Sequence, residues 1–138
     1  MTLSFLCLPG FPMAPLSMAI DALRVAEAAA PEASYSWRIV SEDGAPVVSS
    51  CGISVTPTAA LTALPPTEVL LTFAAADTPL VQPNASGAVL RRLLRQGQRV
   101  GVVNGAIFAL GQIGLFDDTR ASVHYRYADA VRERFPRM

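Results

Sequence analysis

Apolar positions along this chain change spacing several times, and each change predicts an element. TLSFLCL, residues 2–8, is a short apolar run closed by Pro9-Gly10, as expected for a buried first strand. From Met13 the spacing becomes helical. Leu16, Ala19, Ile20, Leu23 and Ala26 recur on one face while Asp21, Arg24 and Glu27 fall on another, and Pro31 predicts the stop. YSWRIVS (35–41) alternates as a strand does, and EDGAP follows as a turn punctuated by Gly44 and Pro46. VVSS and ISVT, on either side of Cys51-Gly52, predict two short strands paired as a hairpin at the sheet edge.

Pro57, Pro65 and Pro66 break the next stretch, where TAALTAL has room for a turn or two of helix. EVLLTF (68–73) predicts a central strand, AAADTPLVQPNAS a loop, and GAVLRRLLRQ a helix with Val89, Leu90, Leu93 and Leu94 on its apolar face. RVGVV (99–103) is a third apolar strand. The stretch VVNGAIFALGQIGLF then turns through Asn104-Gly105 into a helix that Gly114 closes. Asp117-Asp118 predicts a turn, and Ser122 the cap of a last helix running through Phe135. Strands separated by helices predict an α/β fold, a three-layer α/β/α sandwich with a mostly parallel sheet.

Composition adds three constraints. A chain of 138 residues suffices for one domain with its own core. With 51% of residues hydrophobic and 16% charged, the body is ordered and part of its apolar surface is expected to be covered by a partner or by further sequence. Eleven basic residues balance eleven acidic ones, so no net field favours nucleic acid or an anionic membrane. The arginines gathered between Arg91 and Arg137 read as solvated helix faces, diluted by Asp117, Asp118, Asp129 and Glu133.

Cys7 and Cys51 form neither a CxxC pair nor a disulfide framework and read as buried thiols. LSFLCL has no basic flank and stops too early for a signal peptide or a spanning helix, which predicts a soluble cytoplasmic chain without membrane contact.

Candidate chemistry concentrates at the C-terminal ends of the strands, where open α/β sheets form their ligand crevice. Three ends are identifiable: Pro9-Gly10-Phe11-Pro12, Ala74-Ala75-Ala76-Asp77 and Asn104-Gly105. A strand-to-helix turn of the last kind can present a nucleophile, but its tip offers Val103 and Asn104. Asn104 can orient a polar ligand or cap its own helix. His124, the single histidine, lies at the start of the final helix, where packing or capping suits it better than catalysis. No metal-ligand spacing, GxGxxG or GxxxxGK[ST] motif is present, so neither a metal nor a nucleotide cofactor is expected. Phe11 and Met13 read first as core, although the start of their helix faces the crevice.

Three blocks carry a family resemblance: FLCLPGFPMAPLSMAIDALRVA (5–26), YSWRIVSEDGAPVVSSCGISVTP (35–57) and GLFDDTRASVHYRYADAVRERFP (114–136). Together they resemble the DJ-1/PfpI-like (class I glutamine amidotransferase-like) N-terminal sensor domains of AraC-type transcriptional regulators, including the group that controls carnitine, choline or glycine-betaine use. The last block is similar to the family's Gly-Leu-Leu-Asp-Gly turn followed by Ala-Thr-x-His-Trp, with Asp118 at the second glycine and Tyr125 at the tryptophan.

Enzyme-like members of that superfamily carry a cysteine in Cys-Thr-Gly-Ala-Phe after the equivalent of RVGVV. One register puts Asn104 there and another puts Val103, and neither restores a thiol. Ala74-Ala75 replaces a frequent Gly-Gly, and GFPMAPL lacks the acidic residue common at the first strand's exit.

The resemblance implies a flavodoxin-like architecture lacking the family's last elements. Residues 1–138 would form one sensor domain, incomplete at its C-terminus, with the DNA-binding domain outside this chain. It implies a non-catalytic effector-sensing and dimerisation function, with a homodimer as the assembly and a small amine or amino-acid-derived metabolite as the ligand. The candidate ligand-binding residues are Phe11, Met13, Ala75, Asn104, Gly105 and His124. Two other readings stay open: a PfpI-like hydrolase with a displaced nucleophile, and a structural interaction module whose crevice is filled by Phe11, Met13 and Phe108.

Overall fold

In the computed structural model, which describes residues 1–30, 32 and 34–138, the apolar runs become the centre of a five-stranded sheet. Its strands are β1 (Thr2–Cys7), β2 (Ser36–Ser41), β5 (Ala59–Ala60), β6 (Val69–Ala74) and β7 (Arg99–Asn104), in the order β5-β2-β1-β6-β7. Every pairing in that sheet is parallel.

The helices are α1 (Met13–Ala29), α2 (Pro83–Arg95), α3 (Ala106–Gly111) and α4 (Ala128–Arg134). Pro31, read as the stop of the first helix, lies outside the described residues. Alternate strand positions feed two cores, as a pleated sheet requires. Leu3, Phe5, Cys7 and Phe73 pack with Leu16 of α1, while Leu6, Val40, Leu70 and Ala74 pack with Leu90 and Leu93 of α2 and Leu110 of α3. This is the three-layer α/β/α sandwich.

Several local expectations are corrected. The hairpin β3 (Val47–Val48) and β4 (Ser54–Val55) forms its own two-stranded sheet instead of lying at the edge of the main one. It is tied to the exit of β1, because Gly10 N donates to Val48 O at 2.8 Å and Ser50 N to Phe11 O at 2.9 Å. Cys51, at the tip of that hairpin, is exposed rather than buried. The main sheet's edge beside β2 is β5, in a stretch read as helical; there only Leu61–Ala63 form a 3-10 turn.

Pro83 to Ser86, read as loop, are the first turn of α2, where a proline loses nothing by lacking an N–H. Leu94, placed on the apolar face of α2, is 39% exposed, while Val89, Leu90 and Leu93 are buried. Ser122 does not cap the last helix. The chain is irregular from Thr119 to His124, a 3-10 turn covers Tyr125–Tyr127, and the His124 ring caps it.

Gly114 does close the turn after α3. At φ 65° it donates to Gly111 O at 2.9 Å while Leu115 N reaches Leu110 O at 3.3 Å, the paired bonds that satisfy the last carbonyls of a helix.

Candidate functional site

The three strand exits named from the sequence do come together. At the exit of β1, the Pro9 carbonyl accepts from Thr78 Oγ1 at 3.1 Å, which joins β1 to the loop after β6. At the exit of β7, Gly105 N donates to Ala74 O at 2.9 Å, which joins β7 to the end of β6. The approach is so close that a Cβ on Gly105 would stand 2.1 Å from Ala76 N and 2.2 Å from the Ala75 carbonyl carbon. Only glycine fits there.

Asn104, one residue earlier, takes φ 55°, the left-handed region that asparagine tolerates better than most residues. Its side chain is exposed, and no side-chain cap bond is made at the start of α3. The sharp strand-to-helix turn of an elbow is therefore present, with an amide at its tip.

The other candidates divide. Phe11 is fully buried and Met13 half-buried, both in the α1-side core that also reaches Val103. Ala75 is half-buried beside Gly105. His124 belongs to a different surface: it is exposed, and its Nδ1 accepts from Arg126 N at 3.2 Å. Its ring lies 5.9 Å from Tyr127, which in turn meets Phe108 of α3 edge-on at 5.4 Å.

Phe108 also lies under the Arg134 guanidinium, 5.3 Å from the ring centre, and Phe135 presses on Gly111, where a Cβ would come within 2.8 Å of its ring. The sequence thus brings Ala75, Asn104 and Gly105 together and places Phe11 and Met13 beneath them on the α1 side. His124 is joined to that turn only through Tyr127 and α3.

One residue at the strand ends was missed. Glu42, immediately after β2, is 6% exposed and its carboxylate accepts from Val81 N at 2.8 Å, Gln82 N at 3.1 Å and Ser86 Oγ at 2.6 Å. It thereby holds the two amides just ahead of α2 and the Ser86 hydroxyl in its first turn, while the N-cap residue Gln82 makes no side-chain cap bond. Nothing local marks this role, because the partners lie about forty residues away. Glu42 also borders a cavity of about 110 Å³ at the ends of β1 and β2, lined by Cys7, Pro9, Asp43, Val81 and Gln82 among others.

Burial pushes the Cys7 thiol up to about 12, so it is no nucleophile at neutral pH. The Cys51 thiol is lowered, chiefly by its hydrogen bond with Ser49. A second, open cavity of about 610 Å³ lies between the irregular Thr119–Val123 segment and Val131, Arg132 and Met138. None of the six candidate residues lines either cavity. Among the described residues no cluster of three or more His, Cys, Asp or Glu side chains is placed to hold a metal ion.

The sheet order, the helices on both faces and the left-handed turn after β7 define a DJ-1/PfpI-like domain. A DJ-1 superfamily protein from Agrobacterium tumefaciens shares this fold with a TM-score of 0.65 at 21% identity, over 94% of this chain and 68% of its own. The crystal structure of an AraC family transcriptional regulator from Pseudomonas putida is nearer, with a TM-score of 0.80 and 30% identity over 99% of this chain and 73% of that one.

Among curated proteins, the chain is 34% identical to the HTH-type transcriptional regulator CdhR of Pseudomonas aeruginosa over 97% of its own length and 40% of CdhR. It is 30% identical to the HTH-type transcriptional regulator GbdR of the same species over 99% of its own length and 37% of GbdR. No protein-family model matches the chain.

The chain belongs to the AraC family of transcriptional regulators, as their N-terminal DJ-1/PfpI-like domain. It spans about two fifths of the length of these curated relatives. Those relatives are transcriptional regulators, and the tip of the β7 turn in this chain carries the Asn104 amide.

Proposed function

We propose that this domain senses a small effector for a cytoplasmic AraC-type regulator and joins two copies of it. The observation that carries the reading is the Asn104 turn. It keeps the strained φ of 55° and the glycine-only approach of Gly105 to Ala75 and Ala76, yet presents an exposed amide where a nucleophile would stand. Strained backbone is retained where a site needs it, and an amide both donates and accepts without reacting.

The ligand class is a small amine or amino-acid-derived metabolite, held at the exits of β6 and β7 with Asn104 and the Ala75 backbone as its polar contacts. DNA recognition lies in sequence outside residues 1–138. No described helix is long and apolar enough to cross a membrane.

The test is a thermal-shift and calorimetric screen of quaternary amines, amino acids and their derivatives against the wild-type chain and Asn104→Ala. A hit lost in the variant supports the reading. A folded wild-type chain that binds none of them overturns its sensing part.

One observation favours a second reading, a structural interaction module. The space between the ends of β6 and β7 is occupied by backbone rather than open, although Phe11 and Phe108, expected to fill the crevice together, are buried in separate cores. Dimerisation without any ligand response is the result that would select it.

A further inference from the structure

The cavity at the exits of β1 and β2 carries charge of one sign only. Glu42 and Asp43 both line it, and no basic side chain does. Among the described residues neither carboxylate forms an ion pair; the pairs present use Asp21, Glu68, Asp117, Asp118 and Asp129.

Glu42 is the more demanding of the two, because it is almost fully buried. Its three hydrogen bonds come from neutral groups, Val81 N, Gln82 N and Ser86 Oγ. The start of α2 adds only the partial positive charge of a helix N-terminus, about half an elementary charge. A carboxylate is offset by these in part, whereas a buried charge is normally paired outright. Oε2 also accepts just one of the three bonds, from Val81 N, where a carboxylate oxygen has room for two.

The walls are set in advance, as those of ligand sites usually are. In the turn 41–46, the buried Ser41 hydroxyl accepts from Gly44 N and donates to Ala45 O, both at 2.9 Å, and Asp43 Oδ1 accepts from Ala45 N at 2.9 Å. Pro9 and Pro46 supply stiff apolar surface. Val81 lines the cavity while 69% exposed, so its side chain forms part of the mouth.

Size then limits the occupant. An apolar cavity of about 150 Å³ accepts benzene, so one of about 110 Å³ takes roughly four or five non-hydrogen atoms. Charge limits it further. The occupant must be a cation with an N–H to give to Oε2 and a short apolar stem for the prolines and Val81. It cannot carry an anion beside its nitrogen, because Glu42 and Asp43 repel one.

We infer that this cavity is a binding site for a small primary alkylammonium ion, with its N–H groups on Glu42 Oε2 and its stem between Pro9, Pro46 and Val81. The site shares no residue with the Asn104 turn and stands independently of the reading given for that turn.

The experiment follows amide chemical shifts of the nitrogen-15-labelled chain during titration with propylammonium chloride. n-Propanol is the neutral counterpart, glycine a zwitterion of similar size, and sodium chloride the matched salt. The titration runs from about 10 µM to about 50 mM, since a ligand this small binds no tighter than about 10 µM. Saturable shifts at residues 41–47 and 81–86 are expected with propylammonium alone. Glu42→Gln should weaken binding by about 30-fold or more, as loss of a buried charge partner does. Asp43→Asn, at an exposed carboxylate, should weaken it about two- to fivefold.

Val81→Lys should abolish binding by placing its own ammonium at the mouth, whereas Val81→Leu should retain it. Both change only an exposed side chain, so they decide the matter if Glu42→Gln does not fold. Equal shifts with propanol, glycine or sodium overturn the site, as does binding unchanged in Val81→Lys. Shifts centred on residues 74–76 and 104–106 and lost in Asn104→Ala overturn it too, while supporting the reading of the β7 exit.

Discussion

The exits of β2 and β7 both bind a loop to its neighbour, by opposite means. At β7 there is no side chain at all: Gly105 brings backbone against backbone, and the space that any other residue would need is already filled by Ala75 and Ala76. At β2 the side chain does everything. Glu42 reaches across to the start of α2 and its two oxygens accept three hydrogen bonds.

The first junction is rigid and intolerant, since removing a steric conflict there requires moving backbone. The second depends on charge-assisted hydrogen bonds, which tolerate small shifts but fail together when the carboxylate is lost. An exposed amide on the rigid junction suits reading a ligand, and a buried carboxylate at the other suits holding a wall in place.

The largest break in this contrast is expected from Gly105→Ala. Its methyl would sit 2.1 Å from Ala76 N, and urea denaturation should show a loss of about 3 kcal/mol or more. Glu42→Ala comes next, at about 2–3 kcal/mol, because amides at the α2 start and the buried Ser86 hydroxyl lose their acceptor. Hydrogen exchange should localise that loss to residues 78–90. A uniform acceleration across the sheet would mean that Glu42 supports the whole fold and not one junction.

Between the two exits lies Cys7, whose thiol is raised from 9.0 to about 12 by burial. A raised thiol favours the folded state below pH 9, and unfolding releases its proton above that. Stability should therefore fall by up to about 1.4 kcal/mol per pH unit as the pH rises from 9 toward 12. Cys7→Ala should remove that slope in denaturation curves. At neutral pH a thiol reagent should label Cys51, exposed and with its pKa lowered, and reach Cys7 only on unfolding.

The smallest effect on stability belongs to Asn104→Gly, within about 0.5 kcal/mol, since glycine relieves the left-handed backbone but loosens the unfolded chain. The same variant should abolish effector-induced thermal shifts. Retained shifts would move the site away from Asn104.

These two junctions also mark what could be read from the residues. The apolar runs and their helical interludes predicted the layers because burial on both sheet faces leaves a continuous signature. Asn104-Gly105 was legible as a tight turn from its residue types. Glu42 was not, since a side chain that holds a loop forty residues onward leaves no local pattern.

The edge strand Ala59–Ala60 was missed for a related reason: two alanines carry no alternation, and only pairing with Val40 and Ser41 makes them a strand. Residue type alone points to Ser122 as the cap. The structure instead uses His124, because the helical turn starts at Tyr125 and a cap must stand directly before it.

The short α3 connects the β7 exit to the far surface with unusual directness. Phe108 and Gly111 are both claimed by the last helical segment, through Tyr127, Arg134 and Phe135. The last helical segment is therefore fastened, through α3, to the residue that follows the Asn104-Gly105 turn by one peptide bond.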